Sequence, residues 1–331
     1  MFKHNLFRKA VSLILVLAIA AFAAGAALGE PVRVAVVQPL THTSLNQIRD
    51  TIVAELEASG IEFEIVTRNA EGDSAALSTI LENIKSDGVD ILVPIATNTA
   101  QSSKMVFDDA GVPVVFAAVS DPVAAGLTGD DCGFITGVSN NIPAAEIVNL
   151  ISDFQPDYQL IGFLYTSSET NSVSTINAAK AYCDANGIAY EEVSIANLSE
   201  LQTAVETLIS KNVDALYTGN DNSIASAMST YIDVAYEYGI PVYCGADSMV
   251  ADGGFATIGV DYVQLGRQVA AIVERIAAGE EPEDIPYETL ADYARFVNLQ
   301  AAERIGMDIT DDILASYNVL VEADGTNHFG E

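Results

Sequence analysis

Two unbroken apolar runs, residues 91–96 and 112–119, restrict the fold of this chain more than any other feature. Neither run alternates apolar and polar residues with a period of two, so neither fits a strand with one face in water. Such runs are typical of parallel strands that helices cover on both faces. Each run leads into a polar turn, at residues 97–99 and 120–121. Because ligands of open parallel sheets bind beyond the carboxyl ends of the strands, these turns are candidates for a binding site.

From residue 32 onward, short apolar strands alternate with amphipathic helices. Strand 32–38 is followed by a helix whose apolar residues, such as Leu45, Ile48 and Ile52, are spaced three and four positions apart. Asp73 stands just before the next apolar helical pattern, where an N-cap is expected. This alternation predicts an α/β protein with parallel sheets and right-handed crossovers.

The second half of the chain repeats features of the first half. Residues 89–92 and 213–216 both begin with Val-Asp and continue as an apolar strand, while residues 111–114 and 239–242 share a glycine and a proline before the next strand. The repeat predicts two Rossmann-like lobes of one plan, each with a parallel sheet. A length of 331 residues, too great for one compact core, agrees with two lobes.

The N-terminus has the pattern of a secretory signal peptide over residues 1–26. Lys3, Arg8 and Lys9 precede the apolar run 11–24, and small residues that offer A-x-A cleavage sites follow. The run is shorter than the roughly 18 to 20 residues that a membrane span needs, which disfavours an uncleaved anchor. The cleavage region contains no cysteine for lipid attachment, so we expect a free, secreted protein of the periplasm.

The formal net charge of −32 disfavours several classes of partner. A strongly acidic protein repels nucleic acids and anionic membrane surfaces, so we expect no nucleic-acid partner. Cys132, Cys183 and Cys244 are too widely spaced to indicate a disulfide framework, and whether any two are bridged stays open. Once the signal is removed, His42 and His328 are the remaining histidines, which disfavours a zinc site. The chain also lacks the phosphate-binding, metalloprotease and hydrolase motifs, and we expect no metal, no cofactor and no catalytic residues.

The turns at the strand ends of both halves are rich in hydroxyl, amide and carboxylate groups and contain no lysine or arginine. Several of these turns precede helices, whose free N–H groups and dipoles favour an anionic group such as a carboxylate. Glu169, Asp221 and Asp247 can pair with a cationic ammonium group. Together these features predict a site for a zwitterion, with one jaw in each lobe.

Six short segments carry a resemblance to a known family. They are Ala96-Thr97-Asn98-Thr99-Ala100, Ser120-Asp121-Pro122-Val123-Ala124-Ala125-Gly126-Leu127, Thr136-Gly137-Val138-Ser139, Glu169-Thr170-Asn171-Ser172, Asn220-Asp221-Asn222 and Thr257-Ile258-Gly259-Val260-Asp261-Tyr262. On these segments, from about residue 32 to residue 313, the chain resembles bacterial ABC-transporter substrate-binding proteins of the type I periplasmic binding protein fold. The similarity is to the branch that includes binders of tryptophan and other aromatic amino acids.

The resemblance implies a hinged protein of the Venus-flytrap type, with a ligand clamped between two lobes that three crossings connect. The implied lobes are residues 31–139 plus 259–295 for the N-terminal lobe and residues 140–258 plus 296–331 for the C-terminal lobe. The implied crossings lie near residues 137–143, 255–261 and 295–298.

The resemblance also implies which residues bind the ligand and which partners receive it. The implied ligand-binding residues are Thr97, Asn98, Ser120, Glu169, Asn171, Ser172, Asp221 and Asp247. The implied partners are a small-molecule ligand, an ABC permease and its ATPase, and the implied state is a monomer without enzymatic activity. We expect the ligand to be an L-amino acid, with an aromatic side chain such as that of tryptophan.

Two other functions stay open at this point. Two-lobed amino acid racemases also place an Asn-Thr-Ala turn at a strand end, as residues 98–100 do here. Those enzymes need a thiol in each lobe, whereas Thr97 precedes this turn, and a hydroxyl is too weak an acid for that role. A ligand-sensing module for a membrane receptor uses the same clamp, and the sequence does not separate it from a transport component.

Overall fold

The computed structural model describes residues 30–290 and 293–329. The strands in these residues are β1 (Val32–Gln38), β2 (Phe63–Asn69), β3 (Ile91–Pro94), β4 (Val114–Ala117), β5 (Ile135–Ser139), β6 (Leu160–Thr166), β7 (Ala189–Ile195), β8 (Ala215–Thr218), β9 (Val242–Cys244), β10 (Ala256–Val260), β11 (Glu288–Thr289), β12 (Tyr293–Asn298) and β13 (Asn318–Val321). The helices are α1 (Thr43–Ala58), α2 (Ser74–Asp87), α3 (Thr97–Phe107), α4 (Ala144–Phe154), α5 (Thr170–Asn186), α6 (Leu201–Ser210), α7 (Asn222–Ala225), α8 (Met228–Glu237), α9 (Asp247–Ala251), α10 (Tyr262–Ala277), α11 (Leu299–Ile305) and α12 (Asp311–Leu314). The signal peptide predicted for residues 1–26 lies outside the described residues. None of the described helices is long and apolar enough to cross a membrane.

The strands form two sheets, one in each lobe, which confirms the predicted fold class. The first sheet has the order β11-β5-β4-β3-β1-β2, and all of its pairs are parallel. The second has the order β13-β12-β10-β9-β8-β6-β7 and is parallel from β7 to β10. At the other edge of this sheet, β12 is antiparallel to β10, and β13 is parallel to β12. The reason is that the chain enters β12 from the end of β11, at the side of the sheets where the parallel strands end.

The local patterns in the sequence form the predicted elements. All residues of β3 and β4 are buried, as the two apolar runs predict. In α1, the side chains of Leu45, Ile48 and Ile52 are buried against the first sheet. Asp73 caps α2, and its Oδ1 accepts a hydrogen bond of 2.8 Å from the amide of Ala75. Hydrophobic periodicity and capping therefore suffice to define these elements.

The chain passes between the two sheets after β5, after β10 and after β11. The second passage leads into α10, which packs along α1 and against β4 and β5 of the first lobe. The third passage lies between Thr289 and Tyr293, upstream of residues 295–298, where the resemblance placed it. The reason is that β12 is paired with β10 from Tyr293 onward. The implied lobe boundaries fall inside β10 and β12, and the exact lobe bounds stay a prediction.

Two segments without a visible strand pattern in the sequence contribute to the sheets. The acidic segment 280–289 contains β11 at the edge of the first sheet. Its Ile285 is 2% exposed, and the backbone oxygen of Ile285 accepts a hydrogen bond of 2.7 Å from Thr136 Oγ1. In the polar C-terminal segment, β13 pairs with β12. Strands as short as β11 are too brief for their alternation to be visible in a sequence.

Gly245, directly after β9, permits a close approach of two strand ends. A Cβ atom placed on Gly245 would lie 2.4 Å from the carbonyl carbon of Gly219 and 2.5 Å from the amide nitrogen of Asn220, which follow β8. Backbone atoms cannot yield as a flexible side chain can. The missing side chain of Gly245 thus allows Asn220 and Ala246 to lie side by side at the strand ends.

We predict that Gly245→Ala lowers the free energy of unfolding by about 2 to 3 kcal/mol, because the added methyl group overlaps the backbone at Asn220. Urea unfolding monitored by circular dichroism measures this change. Gly133→Ala is the matched control, since Gly133 has φ −59 and an added Cβ would make only an ordinary 3.5 Å contact with Glu283. Equal stability of the two variants would contradict the proposed close approach.

Candidate functional site

A small cavity lies between the two lobes, at the carboxyl ends of the strands. In the described arrangement of the lobes, the space in it that can hold a water-sized molecule is about 20 Å³, so its walls lie close together. Its walls combine apolar side chains with hydroxyls, amides, an imidazole and a carboxylate. The lining residues are His42, Ser44, Leu45, Ala96, Ala118, Ser120, Asn140, Asn171, Asn220, Asp221, Asn222, Ala225, Ala246, Met249 and Tyr262.

Two strained alanines form part of the wall on the first lobe. Ala96 follows β3 with φ 69 and ψ 160, a conformation that non-glycine residues rarely adopt, and Ala118 follows β4 with φ 58. Sheet-like hydrogen bonds hold both residues: the amide of Ala96 donates to Ala117 and the amide of Ala118 donates to Val138, each over 2.9 Å. The turns redirect the chain at the strand ends, and strain of this kind concentrates at functional sites.

Three helices begin beside the cavity without a side-chain cap. The residues before α1, α3 and α9 are His42, Ala96 and Ala246, and none of their side chains accepts a hydrogen bond from the first turn. All three residues line the cavity. The first amides of a helix lack partners within the helix, and with the helix dipole they attract an anion. At α1 and α3 this arrangement suits a carboxylate group, whereas at α9 the Asp247 carboxylate already accepts a hydrogen bond from the amide of Ser248.

Glu169 lies in the second lobe with 3% of its surface exposed, and its carboxylate organises the start of α7. The amides of Asn222 and Ser223 donate to it over 2.9 and 2.8 Å, and their side chains donate through Nδ2 and Oγ over 2.8 and 2.7 Å. Asn171 Nδ2 donates a longer bond of 3.3 Å. Both carboxylate oxygens are therefore engaged by the protein.

Asp221 connects three elements of the second lobe. Its carboxylate accepts hydrogen bonds from the amide of Thr166 (2.6 Å), Thr166 Oγ1 (2.9 Å), Ser172 Oγ (2.8 Å) and the amide of Ile224 (2.9 Å). Burial raises the pKa of Asp221, and the negative charge of Glu169 raises this pKa further. The site thus contains a carboxyl group on which a cationic ligand group would favour the charged form.

Two amide oxygens near Asp221 are buried without a hydrogen-bond partner among the described residues. They are Asn171 Oδ1 and Asn220 Oδ1, and both residues line the cavity. Asn171 Nδ2 donates to the backbone oxygen of Asn220 over 2.5 Å, which fixes the orientation of this amide. Buried acceptors normally have donors, so these two oxygens are suited to N–H groups of a ligand.

Polar contacts join the two lobes around the cavity. His42 Nε2 lies 3.1 Å from Asn222 Oδ1, and Thr170 Oγ1 donates to Gln101 Oε1 over 3.1 Å. Further contacts join the hydroxyls of Ser44 and Ser248, the pair Ser174 and Asp121 (2.6 Å), and Asn98 Nδ2 with the backbone oxygen of Ser168 (3.5 Å). The lobes are therefore in contact across the cleft in the described arrangement.

Three of the eight predicted site residues, Ser120, Asn171 and Asp221, line the cavity. They come from both lobes, as the two-jaw prediction requires. Ser120 Oγ donates to Asn140 Oδ1 over 3.0 Å in the wall between β4 and the first crossing.

The other five predicted residues lie around this cavity. Asn98 and Glu169 line a neighbouring space in the cleft, and Ser172 supports Asp221 through its hydroxyl. Thr97, 1% exposed, follows Ala96, and its Oγ1 has no partner among the described residues. Asp247 begins α9, next to Ala246 of the wall. Their roles in ligand binding stay a prediction.

Asp247 is the second residue near the cavity whose carboxyl group has a raised pKa. Burial raises the pKa of Asp247 to about 6, while a hydrogen bond of 2.8 Å from the amide of Ser248 opposes this rise. The negative charge of Asp261 adds a smaller upward effect on the pKa. Burial also raises the pKa of the neighbouring Tyr262 phenol, whose side chain lines the cavity.

Several wall residues were not among the predicted site residues. His42 and Ser44 belong to a polar turn after β1 that the sequence does indicate, and Asn222 belongs to the turn after β8. Asn140 and Tyr262 lie on two of the passages between lobes, where Asn140 Nδ2 contacts the Tyr262 hydroxyl at 3.5 Å. No local pattern reveals these last two, because their role depends on how the lobes meet.

The cysteines and acids of the described residues give the cavity neither reactive thiols nor a metal site. Cys132, Cys183 and Cys244 are buried and free, and none of them lines the cavity. Burial raises the pKa of the Cys183 thiol to about 11. The described residues contain no group of three or more His, Cys, Asp or Glu side chains that could hold a metal ion. The pair of thiols that a racemase needs is therefore not found at this cavity.

Known proteins share both the sequence and the fold of this chain. A tyrosine-binding protein of Clostridioides difficile is 28% identical over 277 residues, 82% of this chain and 79% of that protein. The structure of an ABC domain in complex with L-Trp from Streptococcus pneumoniae matches with a TM-score of 0.82 at 30% identity, covering 88% of this chain and 99% of that one.

A ligand-free, open structure of a Clostridium difficile substrate-binding protein with adhesive properties matches with a TM-score of 0.66. Its identity is also 30%, over 87% of this chain and 98% of that one. At equal identity, the present arrangement of lobes is therefore more similar to the L-Trp complex than to the open structure.

The family model for ABC transporter substrate binding proteins matches residues 33–320. This range includes both sheets, the three passages between them and every residue that lines the cavity. The chain belongs to the family of ABC transporter substrate-binding proteins.

Proposed function

We propose that this protein is the extracytoplasmic solute-binding component of an ABC importer and that its ligand is an L-amino acid with an aromatic side chain. The observation that carries the proposal is the pair of buried, unpartnered oxygens of Asn171 and Asn220 beside Asp221. They provide acceptors for an ammonium group. The uncapped helix start at Ala96 provides amide donors for a carboxylate.

The apolar part of the wall is suited to the side chain of the ligand. Leu45, Met249 and Tyr262 line the cavity together with several alanines, and sulfur and aromatic groups make favourable contacts with rings. The similarity to a tyrosine-binding protein and to a complex with L-Trp supports an aromatic amino acid. Tryptophan and tyrosine are therefore the first ligands to test.

Ligand capture follows from contacts that form only when the lobes meet. A ligand that touches both jaws favours the closed arrangement by the free energy of those contacts. Contacts such as His42 with Asn222 would add to closure. The closed monomer would then deliver the amino acid to a membrane permease powered by its ATPase, after export directed by residues 1–26.

Binding of an amino acid should raise the thermal stability of the purified protein. A ligand at 100 times its dissociation constant adds about 2.7 kcal/mol to the free energy of unfolding. We expect a shift in melting temperature with L-tryptophan or L-tyrosine, a smaller shift with the corresponding amino acid amide, and a smaller shift with the N-acetyl derivative. A shift with a sugar or nucleoside, and none with any amino acid, would contradict the proposal.

Removal of one unpartnered oxygen should weaken binding. We predict that Asn220→Ala lowers the affinity for the amino acid about tenfold, because the ammonium group loses one acceptor. Isothermal titration calorimetry measures the dissociation constant. Asn186→Ala is the matched control, since Asn186 is exposed at the end of α5 and donates only to Tyr182 of its own helix. If both variants bind as the unchanged protein does, the ammonium position is wrong.

The affinity should depend on pH through Asp247. Its folded-state pKa of about 6 means that this carboxyl is largely protonated at pH 5, whereas an ammonium group nearby favours the ionised form. Binding would then release a proton, so affinity should rise with pH by up to about tenfold per pH unit up to about pH 6 for each such carboxyl, and Asp221, whose pKa is raised to about 7, extends the rise to about pH 7. Titrations at several pH values measure this slope. Asp247→Asn should reduce the slope below pH 6, and an equal slope in the variant would exclude Asp247 from the ammonium site.

A further inference from the structure

Glu169 accepts hydrogen bonds from two side-chain amides, and the amide of Asn171 is held by the backbone oxygen of Asn220 as well. An ionised carboxylate only accepts hydrogen bonds, so Asn171 and Asn222 must direct their Nδ2 groups toward it. The corresponding distances to Glu169 Oε2 are 3.3 and 2.8 Å. With each nitrogen held in this way, the oxygen of each amide faces away from Glu169. For Asn171, this leaves the buried, unpartnered Oδ1 in the cavity wall.

The orientation of Asn222 in turn assigns the proton on His42. Asn222 Oδ1 lies 3.1 Å from His42 Nε2, and an amide oxygen can only accept. His42 Nε2 must therefore carry the proton. Burial lowers the pKa of His42, which favours the neutral ring, although Asn222 and the charge of Glu169 oppose this change. A neutral ring with its proton on Nε2 has a lone pair on Nδ1.

His42 Nδ1 is a buried acceptor that has no hydrogen-bond partner among the described residues. His42 belongs to the first lobe, at the start of α1, and its side chain lines the same cavity as Asn171 of the second lobe. Two acceptors in the two opposing walls are thus linked to one carboxylate, which orients Asn222 and, together with the backbone oxygen of Asn220, Asn171. Both carboxylate oxygens already accept bonds from the second lobe, so Glu169 itself has little capacity left for a ligand.

We propose that Glu169 is a positioning residue that acts through Asn171 and Asn222 and makes Asn171 Oδ1 and His42 Nδ1 acceptors for a hydrogen-bond donor on the ligand. This inference rests on the proposed function, since both acceptors line the proposed amino acid site. It assigns His42 a role in specificity: a ligand without a donor for Nδ1 leaves a buried acceptor unpaired and binds more weakly. The contact of His42 with Asn222 also makes this acceptor dependent on closure of the lobes.

The protonation of His42 can be measured directly in the protein closed by saturating L-tryptophan or L-tyrosine. Long-range proton–nitrogen correlation spectra of protein labelled with nitrogen-15 on histidine distinguish the two tautomers. The chain has three histidines, and the spectrum of His42→Gln identifies the His42 signals by their loss. We expect a neutral ring with the proton on Nε2. A proton on Nδ1, or a charged ring at pH 7, in the closed protein would overturn this proposal, whereas the absence of binding by any amino acid would contradict the proposed function instead.

The role of Glu169 is tested by Glu169→Gln, which replaces one acceptor oxygen with a donor. We expect a mixture of His42 tautomers and an affinity for L-tryptophan or L-tyrosine at least fivefold lower. Ser223→Ala is the matched control, because it removes a donor to Oε1 and leaves both asparagine contacts to Oε2 intact. This control should lose stability and retain the single tautomer. A single Nε2 tautomer and unchanged affinity in Glu169→Gln would overturn the positioning role.

The acceptor on His42 is tested by a substitution that keeps a hydrogen-bond donor at the position of Nε2 and removes the acceptor at Nδ1. In His42→Gln, the amide nitrogen can take the place of Nε2 and keep the contact with Asn222, while the acceptor at Nδ1 is lost. We expect this variant to bind L-tryptophan or L-tyrosine about 10- to 100-fold more weakly. His328→Gln, at the other end of the described chain, should bind normally. Normal binding by His42→Gln would overturn the specificity role, and a Nδ1 nitrogen shift that moves on ligand binding would support it.

Discussion

The architecture of the second jaw depends on two buried carboxylates that are satisfied by hydrogen bonds. Asp221 connects Thr166 at the end of β6 with Ser172 in α5 and with the first turn of α7. Glu169 holds the start of α7 from the other side. A buried charge is tolerated only where donors replace its hydration, and here backbone amides and hydroxyls supply them. The side chains that surround the cavity are consequently held in fixed orientations.

Strained backbone shapes the wall of the first jaw, whereas hydrogen-bonded side chains shape the wall of the second. Ala96 and Ala118 adopt positive φ values at the ends of β3 and β4, and each is held by a sheet-like hydrogen bond. The strain can persist because the two buried strands determine the position of the chain on both sides of each alanine. The first jaw therefore contributes the uncapped start of α3, and the second contributes the unpartnered oxygens of Asn171 and Asn220. Such a division of charge complements a zwitterion.

Hydrogen bonds across the cleft contribute to the contact between the lobes, which matters for a clamp. Each of them, such as that between Thr170 and Gln101, contributes on the order of 1 kcal/mol. A ligand that contacts both lobes adds to these interactions and shifts the balance toward the closed arrangement. The greater similarity of this structure to the L-Trp complex than to the open relative agrees with lobes that have come together.

The sequence by itself determined the elements and the two-lobed plan. The apolar runs became β3 and β4, Asp73 became the cap of α2, and the repeated Val-Asp strands became β3 and β8 of the two sheets. These features depend on neighbours within a few residues, where periodicity and capping act. The polar turns at 97–99 and 220–223 were likewise visible as strand ends, because parallel strands place their carboxyl ends on one side.

Tertiary structure alone decided what each polar side chain does. Glu169, expected to touch the ligand, has both oxygens occupied by donors from α7 and Asn171, while His42, not predicted as a ligand residue, lines the cavity. The distance in sequence between His42 and Asn222, 180 positions, shows why no local pattern could reveal their contact. A hydrogen bond requires particular atoms within about 3 Å, and for residues so far apart only the packing of one lobe against the other brings those atoms together.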